Sequence, residues 1–259
     1  MLHELLVQLP AEDFVYFGDT ARFPYGVRPP EELERFALEI ADRLLGGGAK
    51  LLVVACNAAA SSALPALRER LGREPGDVHL LAVVEPESRL ALAATRSGRI
   101  GLLATPTTVS TGSYPAALQR ARPGVSLTSV ACPDLAPIIQ GGFPFDESVV
   151  ETVRSYCRPL REAAVDTVIL GCTHYPLLGP MLQRILGPDV RLVFSGAAVA
   201  AEARGVLDGA GLLNPRSGEG RYRFECSGDA EAFRRLGTRF LQMPLGEVTC
   251  VPAPAAVAA

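Results

Sequence analysis

The sequence predicts an α/β protein of two pseudo-symmetric, doubly wound domains with mostly parallel sheets. Short apolar runs alternate along the chain with amphipathic segments, as in proteins that cover a parallel sheet with helices on both faces. Several runs carry no polar alternation, which favours strands buried on both sides. A similar pattern of buried strand, small residue, cysteine and small polar residue also occurs twice, around Cys56 and around Cys172.

The elements follow from these patterns in chain order. Residues 1–9 are expected to be helical because one face carries Leu2, Leu5, Leu6 and Leu9. Residues 30–45 repeat apolar side chains at helical spacing. Strands are predicted at residues 14–17, 51–55, 80–84, 100–104, 125–132, 167–170 and 191–194. Ligands of such folds bind at the carboxyl ends of the strands, so the chemistry is expected there.

The domain boundaries are inferred from the similarity of the two cysteine segments. It predicts a discontinuous first domain, residues 1–84 with 196–259, which carries Cys56. Residues 85–195 form the predicted second domain, which carries Cys172. The active site is then expected in the cleft between the domains.

Composition excludes several classes of protein. The chain has 259 residues, 48% of them hydrophobic, and a formal net charge of −3, which argues against a disordered chain and against a basic nucleic-acid binder. It contains no apolar stretch of the roughly 20 residues that a membrane span needs, and its first residues lack a basic leader. We therefore expect a cytoplasmic protein that binds neither membrane nor nucleic acid.

Covalent and metal cofactors are also unexpected. Lys50 is the sole lysine, and it directly precedes an apolar strand, which argues against a Schiff-base cofactor. Three histidines are too few for a multi-histidine metal site, and the sequence contains neither a Walker A loop, nor G-x-G-x-x-G after a strand, nor H-E-x-x-H. The sequence thus predicts no cofactor and no metal.

Cys56 and Cys172 are the main chemical signal. Each follows a predicted strand and precedes a helix, where backbone N–H groups and the helix dipole favour the thiolate and lower the thiol pKa. Two such thiols suit removal of a proton from one face of a carbon and its return to the other face. We expect them to be the most reactive thiols, whereas the other four cysteines are read as small hydrophobic residues: Cys132, Cys157, Cys226 and Cys250.

Three polar segments supply candidate partners. His174 can stabilise a thiolate, bind a carboxylate, act as general acid or base, or serve structure alone. The loop at residues 18–26, with Arg22, suits a small charged ligand or is a rigid surface loop. Hydroxyl side chains follow the strand at 100–104 and either bind a carboxylate or cap helices: Thr105, Thr107, Thr108, Ser110 and Thr111.

At these residues the chain resembles the glutamate racemases of the aspartate/glutamate racemase superfamily. The matching stretches are residues 16–26, 54–57 and 171–178, and the similarity spans nearly the whole chain. The resemblance implies a cofactor-independent isomerase that interconverts L- and D-glutamate and supplies D-glutamate for peptidoglycan precursors, hence for the cell wall and cell shape. It also implies a homodimer.

The resemblance assigns roles to individual residues. Cys56 would deprotonate D-glutamate and Cys172 L-glutamate, with His174 supporting Cys172. The remaining matched positions would hold the substrate: Pro24, Tyr25, Gly26, Asn57, Thr105, Thr108 and Thr173.

The sequence departs from the family pattern at four places. The family opens with a strand ending in Asp-Ser-Gly, whereas this sequence opens in the helix that follows it. Ala58, Gln140 and Phe194 stand where the family usually has a threonine, a glutamate and an aspartate. These departures predict a weak or inactive racemase. Two alternatives stay open: a non-catalytic protein that binds an amino acid or a protein, and a thiol hydrolase or transferase using Cys172 with His174.

Overall fold

The computed structural model describes residues 1–74, 78–142 and 146–252. The chain divides into two compact units. The first comprises Met1 and Tyr25–Val199, and the second Leu2–Pro24 and Ala200–Ala259. Cys56 and Cys172 both lie in the first unit. The domain boundaries inferred from the cysteine segments stay a prediction.

Nine strands are formed in the described part of the chain. They are β1 (Phe14–Gly18), β2 (Leu51–Val54), β3 (His79–Ala82), β4 (Arg99–Ala104), β5 (Ser126–Ala131), β6 (Thr167–Gly171), β7 (Arg191–Val193), β8 (Tyr222–Cys226) and β9 (Val248–Cys250). All strand pairs within them are parallel, which confirms the predicted fold class.

Eleven α-helices lie in the described ranges of the chain. They are α1 (Leu2–Gln8), α2 (Pro30–Gly46), α3 (Asn57–Leu71), α4 (Val84–Ala94), α5 (Pro106–Ser110), α6 (Ser113–Ala121), α7 (Leu135–Gln140), α8 (Glu147–Glu162), α9 (Gly179–Leu186), α10 (Gly196–Gly209) and α11 (Ala230–Leu241). The predicted helices at residues 1–9 and 30–45 correspond to α1 and α2. No helix in the described ranges is both long and apolar enough to cross a membrane.

The first unit contains two sheets. One pairs β2 with β3, and the other has the strand order β5-β4-β6-β7. β4 is fully buried from Ile100 to Ala104 and β6 along its whole length, as expected for central strands covered on both faces. Since every pair is parallel, the carboxyl ends of β4 and β6 lie at the same edge, where Thr105 and Cys172 follow them.

The second unit contains the sheet β1-β8-β9. Sequence patterns predict β1 but miss the other two strands. β8 carries Arg223 and Glu225 and β9 has three residues, so neither shows an apolar run. The strand predicted at residues 80–84 ends at Ala82, because Val84 already begins α4. Pro86 lies in the first turn of that helix, where a proline is tolerated.

Candidate active site

Cys56 lies between β2 and α3 and occupies the N-cap position of the helix. The backbone N–H groups of Ala58 and Ala59 favour its thiolate, as predicted for a thiol at a helix start. Burial acts more strongly in the other direction and raises the pKa of the thiol. The expected lowered pKa is therefore wrong for Cys56.

Cys172 directly follows β6 and is 8% exposed. Burial is the main cause that raises its pKa, to about 12, and the charges of Cys56 and Glu87 raise it further. The backbone N–H groups of His174 and Tyr175 favour the thiolate but do not compensate for the burial. The lowered pKa is wrong here as well, so Cys172 is a neutral thiol near pH 7. Since a charge on Cys56 raises the pKa of Cys172, the two thiols interact electrostatically.

His174 connects Cys172 to Gln140. Its Nδ1 lies 3.7 Å from the sulfur of Cys172, and its Nε2 lies 3.0 Å from Oε1 of Gln140. Burial lowers the pKa of the imidazole to about 4, so the ring is neutral near pH 7 and carries one proton. An amide oxygen accepts, so that proton resides on Nε2. Nδ1 is then the acceptor that faces the thiol of Cys172.

A buried hydrogen-bonded cluster adjoins Cys56 through the next residue, Asn57. The amide Nδ2 of Asn57 donates to Oε2 of Glu87 (2.9 Å) and to the hydroxyl of Tyr114 (2.7 Å). Tyr114 in turn donates to the same carboxylate oxygen, and Ser195 donates to Oε1 of Glu87 at 2.7 Å. We name Asn57, Glu87, Tyr114 and Ser195 the Glu87 cluster. Burial raises the pKa of Glu87 to about 7 despite these donors.

Three members of the Glu87 cluster, Glu87, Tyr114 and Ser195, were not predicted from the sequence. Glu87 stands in the amphipathic segment that forms α4, where a glutamate is ordinarily solvated, and Tyr114 gives no signal beyond one aromatic residue. Only the fold brings them together with Ser195. The one indication in the sequence is that Glu87 stands on the apolar side of the segment that forms α4.

Threonines after β4 join the turn at Tyr25 and Gly26. Thr105 and Thr108 are buried, and their hydroxyl oxygens lie 3.0 Å apart. The hydroxyl of Thr107 donates to the carbonyl oxygens of Gly26 (3.0 Å) and Arg28 (2.7 Å). A Cβ atom at Gly26 would come within 2.5 Å of Thr105, so only glycine permits this approach.

Three other candidate residues, Ser110, Thr111 and Arg22, make hydrogen bonds or ion pairs within the fold. Ser110 and Thr111 donate to carbonyl oxygens three residues back along the chain, so their hydroxyls are used locally. In the second unit Arg22 lies 3.5 Å from Asp19, which also accepts from Ser227.

The structure brings most of the predicted site residues into the first unit. Besides both cysteines and His174, these are Tyr25, Gly26, Asn57, Thr105, Thr108 and Thr173, the last of them exposed. Pro24 follows a cis peptide bond and belongs to the second unit.

The remaining cysteines follow expectation with one exception. Cys132, Cys157 and Cys226 are fully buried, as predicted for small hydrophobic residues. Cys250 is exposed at the end of β9, so its assignment to the core is wrong. Within the described residues, no three histidine, cysteine or acidic side chains are grouped so that they could hold a metal ion.

Comparison with known proteins identifies the class of protein that this fold and site define. A model of the Asp/Glu/Hydantoin racemase family matches residues 2–203, and the chain belongs to that family. Among curated relatives, a glutamate racemase from Geobacter metallireducens is 42% identical over 248 residues, covering 96% of this chain and 90% of the relative. One from Listeria monocytogenes is 39% identical, over 94% and 90%. The resemblance noted in the sequence is thereby confirmed.

Solved structures of glutamate racemases are also similar to this chain. A glutamate racemase isoform from Bacillus anthracis has a TM-score of 0.91 at 34% identity, covering 98% of this chain and 92% of that chain. The Thermus thermophilus glutamate racemase in complex with β-chloro-D-alanine has a TM-score of 0.83 at 40% identity, over 97% and 91%. The glutamate racemase of Francisella tularensis, in complex with D-glutamate, has a TM-score of 0.89 at 27% identity, over 96% and 91%.

Proposed function

We propose that this protein racemises glutamate without a cofactor, using Cys56 and Cys172 as the two acid/base groups. The observation that carries the proposal is the pair of cysteines that follow strands of the same unit, where a charge on Cys56 raises the pKa of Cys172. Relatives over nearly the full chain length bear the name glutamate racemase. A family member with this thiol pair is therefore expected to be an isomerase.

The reaction needs one thiolate and one thiol at a time. The thiolate removes the α-proton from one face of the substrate, and the thiol on the other face donates its proton to the resulting carbanion. By family resemblance Cys56 acts on D-glutamate and Cys172 on L-glutamate. Each turnover exchanges the protonation states of the two sulfurs, so the enzyme emerges ready for the opposite enantiomer.

Burial keeps both thiols neutral, so the site must provide charge compensation for the thiolate. For Cys172 the backbone N–H groups of His174 and Tyr175 favour the anion, and the neutral Nδ1 of His174 faces the thiol. For Cys56 the N–H groups at the start of α3 favour the anion. The α-ammonium group of a bound amino acid adds a positive charge that lowers both thiol pKa values.

Asn57 is suited to bind that ammonium group. Both hydrogens of its side-chain amide are used within the Glu87 cluster, which leaves its carbonyl oxygen to accept from a ligand. The hydroxyls of Thr105 and Thr108 are candidates for a substrate carboxylate. Tyr25, Gly26, Pro24 and Thr173 complete the proposed substrate contacts.

The biological setting belongs to the same proposal. D-glutamate is the product expected to feed peptidoglycan precursor synthesis, and the substrate is a small molecule. The homodimer implied by the resemblance and the cytoplasmic location inferred from the sequence both stay predictions.

Deuterium exchange tests the proposal directly. L- or D-glutamate is incubated with the protein in D2O, and loss of the Cα proton signal is followed by NMR together with the appearance of the other enantiomer. The wild type is expected to do both. Cys56→Ala and Cys172→Ala are each expected to lower racemisation by at least about a hundredfold, because general acid and base each contribute at least that much.

A control variant and two other outcomes complete this experiment. Cys157→Ala removes another buried thiol of the same unit and should retain activity. Parent-rate racemisation by Cys56→Ala or Cys172→Ala would refute the two-thiol mechanism. Gln140, which gives His174 a neutral partner, favours a second candidate, a binding protein, for which glutamate binds without exchange of its Cα proton. A covalent adduct on Cys172 would instead indicate the hydrolase or transferase.

A further inference from the structure

Cys226 and Cys250 lie side by side in the second unit, and neither is among the residues assigned to racemisation. They are register partners at the ends of the parallel strands β8 and β9. Paired residues of parallel strands project to the same face of the sheet, and neighbouring strands are about 4.8 Å apart. That spacing falls within the Cα separation of roughly 4.4–6.8 Å that a disulfide requires.

Their sulfurs converge on one acceptor. The thiol of Cys226 donates to the carbonyl oxygen of Gly228 at 3.5 Å, and the thiol of Cys250 donates to the same oxygen at 3.2 Å. Both sulfurs therefore lie within 3.5 Å of one oxygen atom, which places them near each other. A charge on Cys250 is also felt at Cys226, which agrees with this proximity.

The two thiols differ sharply in exposure. Cys226 is fully buried, whereas Cys250 is exposed. Within the described residues β9 pairs with β8 alone, so its other edge is not covered by a strand. A water-borne oxidant therefore meets Cys250 first, while Cys226 is held beside it and shielded from bulk reagent.

We propose that Cys226 and Cys250 are a redox modification site that a hydroperoxide converts to an intramolecular disulfide. The thiolate of Cys250 attacks the peroxide, the O–O bond breaks, and Cys250 becomes a sulfenic acid while the peroxide leaves as water or an alcohol. The sulfur of Cys226 then attacks that of Cys250, and the hydroxyl leaves as water with the proton of Cys226. Two thiols lose two electrons in total, and one peroxide gains them.

The disulfide ties the edge strand β9 to β8. Exposed disulfides are the readily reduced ones, so a small dithiol is expected to reverse the reaction. The proposal does not depend on racemase activity, because none of these residues belongs to the proposed catalytic site.

Peroxide treatment followed by peptide mass mapping tests the proposal. The folded wild-type protein is exposed to hydrogen peroxide with and without dimedone, which traps sulfenic acids, and is then digested without reductant. We expect a cross-linked peptide pair containing Cys226 and Cys250, which dithiothreitol separates. In Cys226→Ser the resolving thiol is absent, so dimedone should mark Cys250 far more strongly than in the wild type.

The protein contains a matched control pair. A charge on Cys157 also raises the pKa of Cys132, but both thiols are fully buried. No cross-link between them is expected in the folded protein, and circular dichroism verifies that Cys226→Ser and Cys250→Ser stay folded. Equal dimedone labelling of Cys250 in the wild type and Cys226→Ser, or the absence of the Cys226–Cys250 cross-link, would overturn the proposal.

Discussion

Glu87 accepts hydrogen bonds from three side chains although it is only 2% exposed. These donors favour the carboxylate, but desolvation is the larger effect and raises the pKa to about 7. Between the unfolded value of 4.5 and this folded value, the folded protein binds more protons than the unfolded chain. The free energy of unfolding therefore falls as the pH rises through this window.

Replacing Glu87 by glutamine removes this pH dependence. Glu87→Gln preserves the shape of the side chain but does not titrate, so wild-type stability should fall relative to the variant between about pH 5 and about pH 8, by up to about 3 kcal/mol. Urea unfolding at several pH values measures the difference. His174 contributes equally to both proteins and cancels.

Glu85→Gln is the matched control for this prediction, because Glu85 lies in the same helix and its side chain is 43% exposed. Its stability should follow the wild-type pH dependence. An unchanged slope in Glu87→Gln would contradict the raised pKa of Glu87.

Single residues were only partly predictable. The position of a cysteine after a strand is visible in the sequence, and so is the proximity of His174 to Cys172. The charge state of the thiols is not visible, because it depends on the burial that the packed structure imposes. The Glu87 cluster was hidden for a similar reason, since its members are far apart in sequence and meet only in the fold.

At the scale of elements, Gly171 ends β6 directly before Cys172. A Cβ atom there would lie 2.8 Å from a methyl carbon of Leu102 and 3.2 Å from the carbonyl oxygen of Leu103. Both neighbours belong to the central strand β4, which is buried along this stretch and cannot yield easily. The glycine thus sets how closely β6 approaches β4.

Gly171→Ala is expected to destabilise the protein by about 1–3 kcal/mol and to lower racemase activity, because the strand that carries Cys172 must shift. Thermal unfolding and racemisation rates provide the readouts. Gly205→Ala is the control, since Gly205 is exposed within α10 and open space surrounds the added methyl group. That variant should be neutral or more stable by about 0.5–1 kcal/mol. Equal stability of both variants would contradict the packing argument.

Elements with long apolar patterns were predictable, and short mixed ones were not. β4 has no polar side chain from Ile100 to Ala104 and β6 has none from Val168 to Gly171, so their burial follows from the sequence. β8 and β9 are held by backbone pairing to β1 and to each other. Charged residues alternate along β8, and β9 has only three residues. Parallel pairing joins distant segments, which no local pattern reveals.

At the scale of the whole molecule, the alternation of apolar runs with amphipathic segments correctly predicted parallel sheets, and the motifs around the two cysteines correctly predicted the racemase family. These patterns do not specify how exposed each of the six cysteines is. Cys250 lies at the end of an edge strand, whereas Cys132, Cys157 and Cys226 are fully buried. The order of thiol reactivity is consequently a property of the complete fold.

This order leads to a prediction for limited alkylation with iodoacetamide near neutral pH. Cys250 should react first because it is exposed, in place of the order that the sequence suggested, in which Cys56 and Cys172 lead. Burial keeps the thiol pKa values of Cys56 and Cys172 raised, so both should react slowly. Added glutamate should slow labelling of Cys56 and Cys172 further but leave Cys250 unaffected, because only the first two belong to the proposed substrate site.

Mass mapping of the wild type and of Cys250→Ser, in which the dominant label disappears, measures this order. Faster labelling of Cys56 than of Cys250 would show that burial does not control the reactivity of these thiols. Labelling of Cys56 and Cys172 that glutamate does not slow would show that the substrate binds elsewhere.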